Sequence, residues 1–310
     1  MEHIDDEVID LIGKIKEKYN TQGQNFKSYL EGLLYQDYTN YWDYIAVDSL
    51  LTLQKPKTLI PDEVIFIIYH QITELYFKLA LHEFEQLSAK AKNMDVNFFT
   101  ERVKRINAYF NNLTHSFDIM VDGMEPEQFL KFRMSLLPAS GFQSAQYRKI
   151  EMFATSFDRL VDKNKREELK DKTIEEQFKF IYWQAGATEA ETGKKTLTLT
   201  KFEQKYGDEF LRIANQNVDL NLWAIYSSLS EIDKQNQNLI DELKKLDLNV
   251  NVNWPLMHYK SAVKYLQKPK EEVAATGGTN WQKYLPPRFQ LRIFYPDLFT
   301  QEELANWGKF

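Results

Sequence analysis

The sequence predicts an all-α fold, and three features of its 310 residues indicate it. Glycine and proline are scarce, with 11 and 9 residues, so long stretches contain no residue that breaks a helix. Apolar residues recur at helical spacing, as in residues 6–19. Hydrophobic residues make up 43% of the chain, which suffices for a sizeable core. Since no internal repeat or low-complexity linker interrupts this pattern, we expect one domain over residues 1–310, with an N-terminal helical arm over residues 1–40 and an insertion over residues 187–200.

A long buried helix is predicted to begin near Pro61. Proline suits the first position of a helix, and Asp62 and Glu63 add favourable negative charge to the first turn. The apolar run at residues 64–69 has the length of a strand, but it continues without a turn signal to Phe84. The pattern therefore favours a helix of about eight turns.

Several further helices follow from the same periodicity. They are expected over residues 43–53, 98–121, 143–154, 174–185, 210–246 and 254–266. Residues 188–200 are polar and briefly alternating, a pattern that fits either a small hairpin or a loose loop. The aromatic tail from Pro286 is expected to pack back onto the core.

Charge and composition exclude some classes of protein. The net charge is −6, from 39 basic and 45 acidic residues, so no basic nucleic-acid footprint is present. No uninterrupted apolar run approaches the ~20 residues that a membrane helix needs. The N-terminus is acidic and lacks the apolar core of a signal peptide. We therefore expect a cytoplasmic protein that binds neither nucleic acid nor membrane.

The chain contains no cysteine. This excludes disulfides, thiol nucleophiles, zinc–thiolate sites, iron–sulfur ligation and thiolate-ligated haem. A metal would have to be held by histidine, carboxylate or tyrosine. The histidines available for that purpose are His3, His70, His82, His115 and His258.

Three segments, read together, resemble the tryptophan 2,3-dioxygenase family. They are residues 40–84, residues 125–151 with the string GFQSAQYR, and residues 254–285 with the string ATGGTNW. Their order and spacing also fit, and the similarity spans most of the chain. The resemblance implies a helical, haem b-dependent oxidoreductase that cleaves the indole C2–C3 bond of L-tryptophan with O2 to give N-formyl-L-kynurenine, the first step of tryptophan catabolism through kynurenine.

By this resemblance His258 is the axial ligand of the haem iron, and Trp254 and Gly141 also contact the cofactor. A haem iron that binds O2 needs one neutral imidazole and one open face. The second ring nitrogen of the histidine needs a hydrogen-bond partner to fix its tautomer, and the sequence does not name that partner. Alternatively, His258 is a buried histidine that only forms hydrogen bonds.

The resemblance places His70 and Phe66 on the substrate side of the pocket. The two residues are one helical turn apart and face the same way. His70 would contact the indole N–H, and Phe66 would pack on the indole ring. Alternatively, His70 pairs with Glu74 one turn later.

Arg148 is assigned by the resemblance to the carboxylate of the substrate, with Ser144 one turn before it as a second contact. The planar guanidinium suits this role because it can donate to both carboxylate oxygens at once. The alternative is that Arg148 pairs with Glu151 across one turn of helix.

Two further segments complete the implied site. Thr276 and Gly277 belong to a TGG loop, in which a hydroxyl and close backbone approach would help to bind the substrate; alone, this would be an ordinary turn. Tyr41 and Tyr44 match a segment that reaches the pocket from a neighbouring chain, which implies a homo-oligomer, in this family a tetramer. Their alternative role is core packing.

Two other functions remain open. One is a haem monooxygenase or peroxygenase of the same superfamily, acting on another indole or on a phenol; transfer of one oxygen atom rather than two would identify it. The other is a non-enzymatic haem-binding sensor, which would show no turnover. The combination of Phe66, His70, Arg148 and Thr276 argues for the dioxygenase.

Overall fold

The protein is all-α, as predicted. The computed structural model describes residues 4–136, 141–188, 193–268, 271–272 and 286–309. Within these ranges the only strands are Gln267–Lys268 and Glu271–Glu272, which pair antiparallel. Residues 188–200 were predicted to form a hairpin or a loop. In the structure an isolated bridge joins Thr188 to Lys195, and a helix begins at Leu197.

The chain divides into two compact units, residues 1–54 and residues 55–310. The first unit contains α1 (Asp6–Thr21), α2 (Phe26–Leu33), α3 (Tyr41–Tyr44) and α4 (Val47–Leu50), none of which has a buried residue. The single helix predicted over residues 43–53 is wrong, because Ala46 takes a left-handed conformation (φ 51°) between α3 and α4. The expectation of one domain with an arm over residues 1–40 stays a prediction.

The second unit is built around α5 (Asp62–Lys90), whose predicted start is confirmed. The buried carboxylate of Glu63 accepts hydrogen bonds from the N–H groups of Lys57 and Thr58, both at 2.7 Å, and so ties the preceding loop to the helix. By length and composition alone α5 could cross a membrane, although no such segment was expected. One face of α5 buries Phe77 and Phe84 in the core of the second unit.

The remaining helices of the second unit are short to medium in length. They are α6 (Val96–Ser116), α7 (Asp118–Asp122), α8 (Pro126–Phe132), α9 (Ala145–Ala154), α10 (Arg166–Leu169), α11 (Ile174–Phe178), α12 (Tyr182–Ala185), α13 (Leu197–Gln216), α14 (Leu222–Ser228), α15 (Glu231–Lys234), α16 (Gln237–Leu248), α17 (Trp254–Leu266), α18 (Pro287–Gln290) and α19 (Gln301–Ala305). The 3-10 turns Arg133–Leu136 and Gly141–Gln143 follow α8.

The long helix predicted over residues 210–246 is wrong, since this region is divided among α13, α14, α15 and α16. Polar side chains cap each new start. Asn221, Ser230 and Asn236 accept the N–H groups of residues 224, 233 and 239 respectively. A side chain that caps a helix start in this way competes with continuation of the previous helix. The apolar residues keep their helical spacing across these breaks, so the sequence pattern did not indicate where one helix ends and the next begins.

Helices α16 and α17 form one helical run, joined by a π-helical turn at Asn249–Asn253. The C-terminal tail packs against this run, as predicted, with Phe294 and Tyr295 fully buried. Their backbone N–H groups both donate to the carboxylate of Asp247 at 2.8 Å. The tail therefore braces the helix that carries His258.

Candidate active site

His258 lies on the first turns of α17, and its ring orientation is fixed by its own helix. Its Nδ1 atom is 3.0 Å from the carbonyl oxygen of Trp254, one turn earlier. A carbonyl only accepts hydrogen bonds, so Nδ1 carries the proton and Nε2 keeps a lone pair. The carbonyl of Trp254 is thus the partner that the sequence did not name.

Aromatic rings surround the imidazole of His258. The ring centroids of Trp254 and Phe117 lie 4.5 Å and 4.6 Å from it. Phe117 in turn packs edge-on against Tyr69 of α5 at 5.7 Å. Burial lowers the pKa of His258 to about 4, so the imidazole is neutral at physiological pH. A neutral imidazole with a free Nε2 lone pair is the form that binds iron.

His70 on α5 repeats the same local arrangement. Its Nδ1 atom is 2.7 Å from the carbonyl oxygen of Phe66, so Nδ1 again donates and Nε2 is an acceptor. The rings of His70 and Phe66 are 4.1 Å apart. The hydrogen bond observed for His70 is therefore with Phe66, while Glu74, the alternative partner, accepts a hydrogen bond from Gln146 at 2.8 Å.

His70 is exposed by surface area, yet burial lowers its pKa. Protein therefore packs around part of the His70 ring while another part stays open. Ring contacts connect the two histidines, since Tyr69 lies 6.3 Å from His70, Phe117 lies 4.6 Å from His258, and Tyr69 and Phe117 are 5.7 Å apart. Together with Phe66, Tyr69 and Phe117, the two histidines line what we call the recess.

Arg148 lies in a buried polar network. Its Nη1 atom donates to Glu151 at 2.9 Å and also to the hydroxyl of Tyr182. Glu151 is fully buried and forms a second ion pair with Arg292. The structure therefore shows the pairing with Glu151 that the sequence offered as the alternative. The assignment of Arg148 to a substrate carboxylate stays a prediction.

Arg133 is a second buried arginine, and the sequence analysis assigned it no role. It directly follows α8, whose Phe129 and Phe132 pack against Phe66 with centroids 6.3 Å and 5.7 Å apart. The residue is 5% exposed, and burial lowers the pKa of its guanidinium. The available sequence signal was an arginine directly after two phenylalanines at helical spacing, within the segment over residues 125–151 that carries the resemblance.

Ser144 has a structural task in this fold. Its hydroxyl accepts the N–H of Tyr147 at 3.3 Å and caps the start of α9. Gly141 begins the 3-10 turn that precedes it. Tyr41 and Tyr44 lie in α3 of the first unit and are 73% and 81% exposed, which argues against core packing within that unit. Thr276 and Gly277 lie outside the described residues.

Comparison with known proteins agrees with the resemblance. The profile of the family described as tryptophan 2,3-dioxygenase matches residues 31–207, more than half of the chain. This range includes His70, Arg133 and Arg148, whereas His258 lies beyond it.

Curated relatives carry the same name. The tryptophan 2,3-dioxygenase of Shewanella woodyi is 35% identical over 136 residues, which is 43% of this chain and 47% of the relative. That of Herpetosiphon aurantiacus is 41% identical over 113 residues, 36% of this chain and 43% of the relative. That of Bradyrhizobium diazoefficiens is 38% identical over 112 residues, 36% of this chain and 40% of the relative. The chain thus matches less than half of the length of each of these relatives. The profile covers more than half of the chain, including the part of the recess on α5 and α6. The chain belongs to the tryptophan 2,3-dioxygenase family.

Proposed function

We propose that the protein is a haem-dependent dioxygenase that cleaves the indole C2–C3 bond of L-tryptophan with O2 and releases N-formyl-L-kynurenine. One observation carries this proposal. Two neutral histidines line the same aromatic recess, and each has its Nδ1 proton committed to its own helix and its Nε2 lone pair available. The names of the relatives support tryptophan as the substrate.

Haem b fits the residues around His258. The imidazole is neutral, its tautomer presents Nε2, and the neighbouring rings of Trp254 and Phe117 offer apolar surface to a flat macrocycle. His258 would hold the iron through Nε2, and Trp254 and the backbone at Gly141 would contact the macrocycle. When bound, haem supplies the binding and activation of O2.

The role proposed for His70 is to orient the substrate. Because Nδ1 donates to the carbonyl of Phe66, Nε2 can accept a hydrogen bond from the indole N–H. Phe66 is half-buried beside it and offers its ring face to the indole. These contacts hold the reacting bond of the indole in one place and exclude water from it.

For the carboxylate of tryptophan we propose Arg133 rather than Arg148. The guanidinium of Arg148 already donates to Glu151 and Tyr182 inside the core. Arg133 is buried and directly follows α8, whose Phe129 and Phe132 pack on Phe66, so it belongs to the segment beside the ring proposed to contact the indole. Its planar guanidinium can donate to both oxygens of a carboxylate. Thr276, Gly277 and Ser144 keep their proposed contacts with the amino-acid part of the substrate.

The protein is further proposed to be a cytoplasmic homo-oligomer, a tetramer, with no nucleic acid or membrane as a partner. The exposed apolar surface supports association of copies. The outer face of α5 carries apolar side chains at intervals of three and four residues, namely Val64, Ile68, Ile72, Leu75 and Leu79. The first unit likewise exposes Tyr41 and Tyr44, which would reach the recess of a neighbouring copy.

The test is the fate of oxygen. The protein would be purified with haem supplied, reduced, and given L-tryptophan under ¹⁸O₂. The proposal expects N-formyl-L-kynurenine with both labelled atoms incorporated. One labelled atom would identify the monooxygenase or peroxygenase, and bound haem without any product would identify the sensor.

A further inference from the structure

The π-turn at Asn249–Asn253 stands directly before the residues that carry the candidate iron ligand. The N–H of Trp254 donates to the carbonyl of Asn249, five residues back, where an α-helix would use the residue four back. The turn therefore contains one more residue than an α-helical turn. That extra residue rotates every later side chain by about 100° around the helix axis.

This rotation decides which side chain faces the recess. The buried face of α16 runs through Leu239, Leu243 and Leu246 and continues to Val250 in the π-turn, all fully buried. Two regular turns beyond Val250 would reach about residue 257. With the extra residue, His258 takes that direction instead and packs on Phe117, at the end of α6, against which α16 also packs. The π-turn thus exchanges a methionine for a histidine at the recess.

Hydrogen bonds from outside the helix hold the π-turn. The hydroxyl of Tyr147, on α9, donates to the carbonyl of Val250 at 2.7 Å. Nη2 of Arg292 donates to the same hydroxyl at 3.2 Å. Tyr147 is 5% exposed, so water does not replace these bonds.

A second set of bonds holds the turn from the opposite side. Asn253 donates to the side chain of Asn249, and Asn249 donates to that of Asn107 on α6, both at 3.0 Å. Asn107 donates in turn to the carbonyl of Glu242 at 2.9 Å. Such a chain of amides fixes the wider turn at one register, because each amide in it depends on the next.

We propose that Tyr147 is a positioning residue for His258: its hydroxyl holds the Val250 carbonyl, and the Asn107–Asn249–Asn253 amide chain locks the π-turn, so that the imidazole faces the recess. The carbonyl of Val250 depends on an outside donor, because the N–H of Trp254 bonds to Asn249 instead and Pro255 has no N–H. Without the Tyr147 hydroxyl and the amide chain, the turn would lose its fixed register, and the orientation of His258 would vary. The part of this inference that concerns iron rests on the proposed function.

The test compares Tyr147→Phe with Tyr295→Phe. Tyr295 is a matched control, since it is fully buried and its hydroxyl also donates to a backbone carbonyl, that of Ala154 at 2.9 Å, away from the π-turn. Amide hydrogen exchange would be measured without haem over residues 249–258. For Tyr147→Phe we expect exchange there to be about threefold to tenfold faster, the effect of one lost hydrogen bond. Tyr295→Phe should leave these amides unchanged.

The second readout uses the haem-loaded, reduced proteins. Resonance Raman spectroscopy measures the stretching frequency of the bond between iron and histidine, which a merely structural change elsewhere would not shift. Tyr147→Phe should shift or broaden this band, and Tyr295→Phe should not. Asn253→Ala removes the half-buried end of the amide chain and should act in the same direction, should Tyr147→Phe fail to fold.

Equal exchange over residues 249–258 in the Tyr147 and Tyr295 variants would overturn the inference. So would an unshifted iron–histidine band in a Tyr147→Phe protein that binds haem through His258. If the wild-type protein binds no haem, the proposed function fails, but the exchange experiment still decides whether Tyr147 holds the π-turn.

Discussion

Two regions of the second unit use polar side chains in opposite ways. In the buried polar network, Arg148, Glu151, Arg292 and Tyr182 bond to one another across α9, α12 and the C-terminal tail. In the recess, Nδ1 of each histidine bonds to a backbone carbonyl of its own helix, as in His70 with Phe66 and His258 with Trp254. The polar atoms of the network join segments of the fold, whereas in the recess Nε2 of each histidine remains an acceptor for a ligand.

We therefore expect substitutions in the two regions to have different effects. Substitutions in the network should change the free energy of unfolding and leave substrate binding unaltered. Substitutions in the recess should change substrate or haem binding and leave stability nearly unaltered. Four predictions, from the largest effect to the smallest, test this separation.

The largest effect is expected for Arg148→Ala. Glu151 is fully buried and would keep only Arg292 as a charged partner, so the free energy of unfolding should fall by about 3 kcal/mol. Urea unfolding measures this loss. The KM for tryptophan of the folded, haem-loaded variant should stay within about twofold of the wild-type value, since the side chain is proposed to bind no substrate. A KM raised about tenfold or more would return the substrate carboxylate to Arg148.

Arg133→Ala should show the opposite behaviour. Loss of a buried partner for the substrate carboxylate should raise KM at least ~10-fold. Arg133→Lys keeps the charge but loses the planar guanidinium, so its KM should lie between those of the wild-type protein and Arg133→Ala. Unchanged KM values in both variants would remove Arg133 from the site.

Asp247 is another buried polar group that joins two segments of the fold, and pH tests its contribution to stability. Burial raises the pKa of Asp247 to about 7, while its carboxylate accepts the N–H groups of Phe294 and Tyr295. The folded protein therefore keeps a proton that the unfolded chain has lost between about pH 4 and pH 7. Stability consequently falls as pH rises through this range.

The Asp247→Asn variant should lose this pH dependence. Between pH 5 and pH 8 the wild-type protein should lose about 2 kcal/mol more stability than the variant. Urea unfolding at both pH values makes the measurement. An equal pH dependence in the two proteins would show that Asp247 is ionised in the fold.

The smallest effect is expected for His70→Ala. If His70 orients the indole through one neutral hydrogen bond, its loss should lower kcat/KM by about tenfold. His70→Gln keeps an acceptor of similar reach and should recover part of the loss. Steady-state kinetics on the haem-loaded proteins measures both. Complete loss of turnover in a haem-loaded variant would instead make His70 an obligatory base.

Local sequence signals were sufficient where one side chain or one periodic run decides the structure. Pro61 with its following acids marked the start of α5, and the aromatic tail was expected to pack back. The one-turn spacing of Phe66 and His70 placed their rings together. In each case the deciding partners lie within a few residues, or the apolar character alone forces burial.

The failures arose where the deciding contact leaves the apolar period of the sequence unchanged. Asn221, Ser230 and Asn236 cap new helices within a run whose apolar period is unbroken. The sequence did not indicate whether Arg133 or Arg148 binds the substrate carboxylate. Arg148 bonds to the hydroxyl of Tyr182 from α12 and to Glu151, and Glu151 also pairs with Arg292, so residues distant in sequence decide its role. The π-turn has helical backbone angles at both ends, and the one breaker beside it, Pro255, does not distinguish a π-turn from a kink or a new helix start.

Haem titration of two histidine variants decides which histidine holds the iron. If His258 holds the iron and His70 the substrate, His70→Ala should bind haem with near wild-type affinity. His258→Ala should lose the spectrum of a histidine-ligated ferrous haem, with circular dichroism confirming that the variant is folded. If His258→Ala instead binds haem with an unchanged spectrum while His70→Ala does not, the two histidines have the reverse roles and the account is wrong.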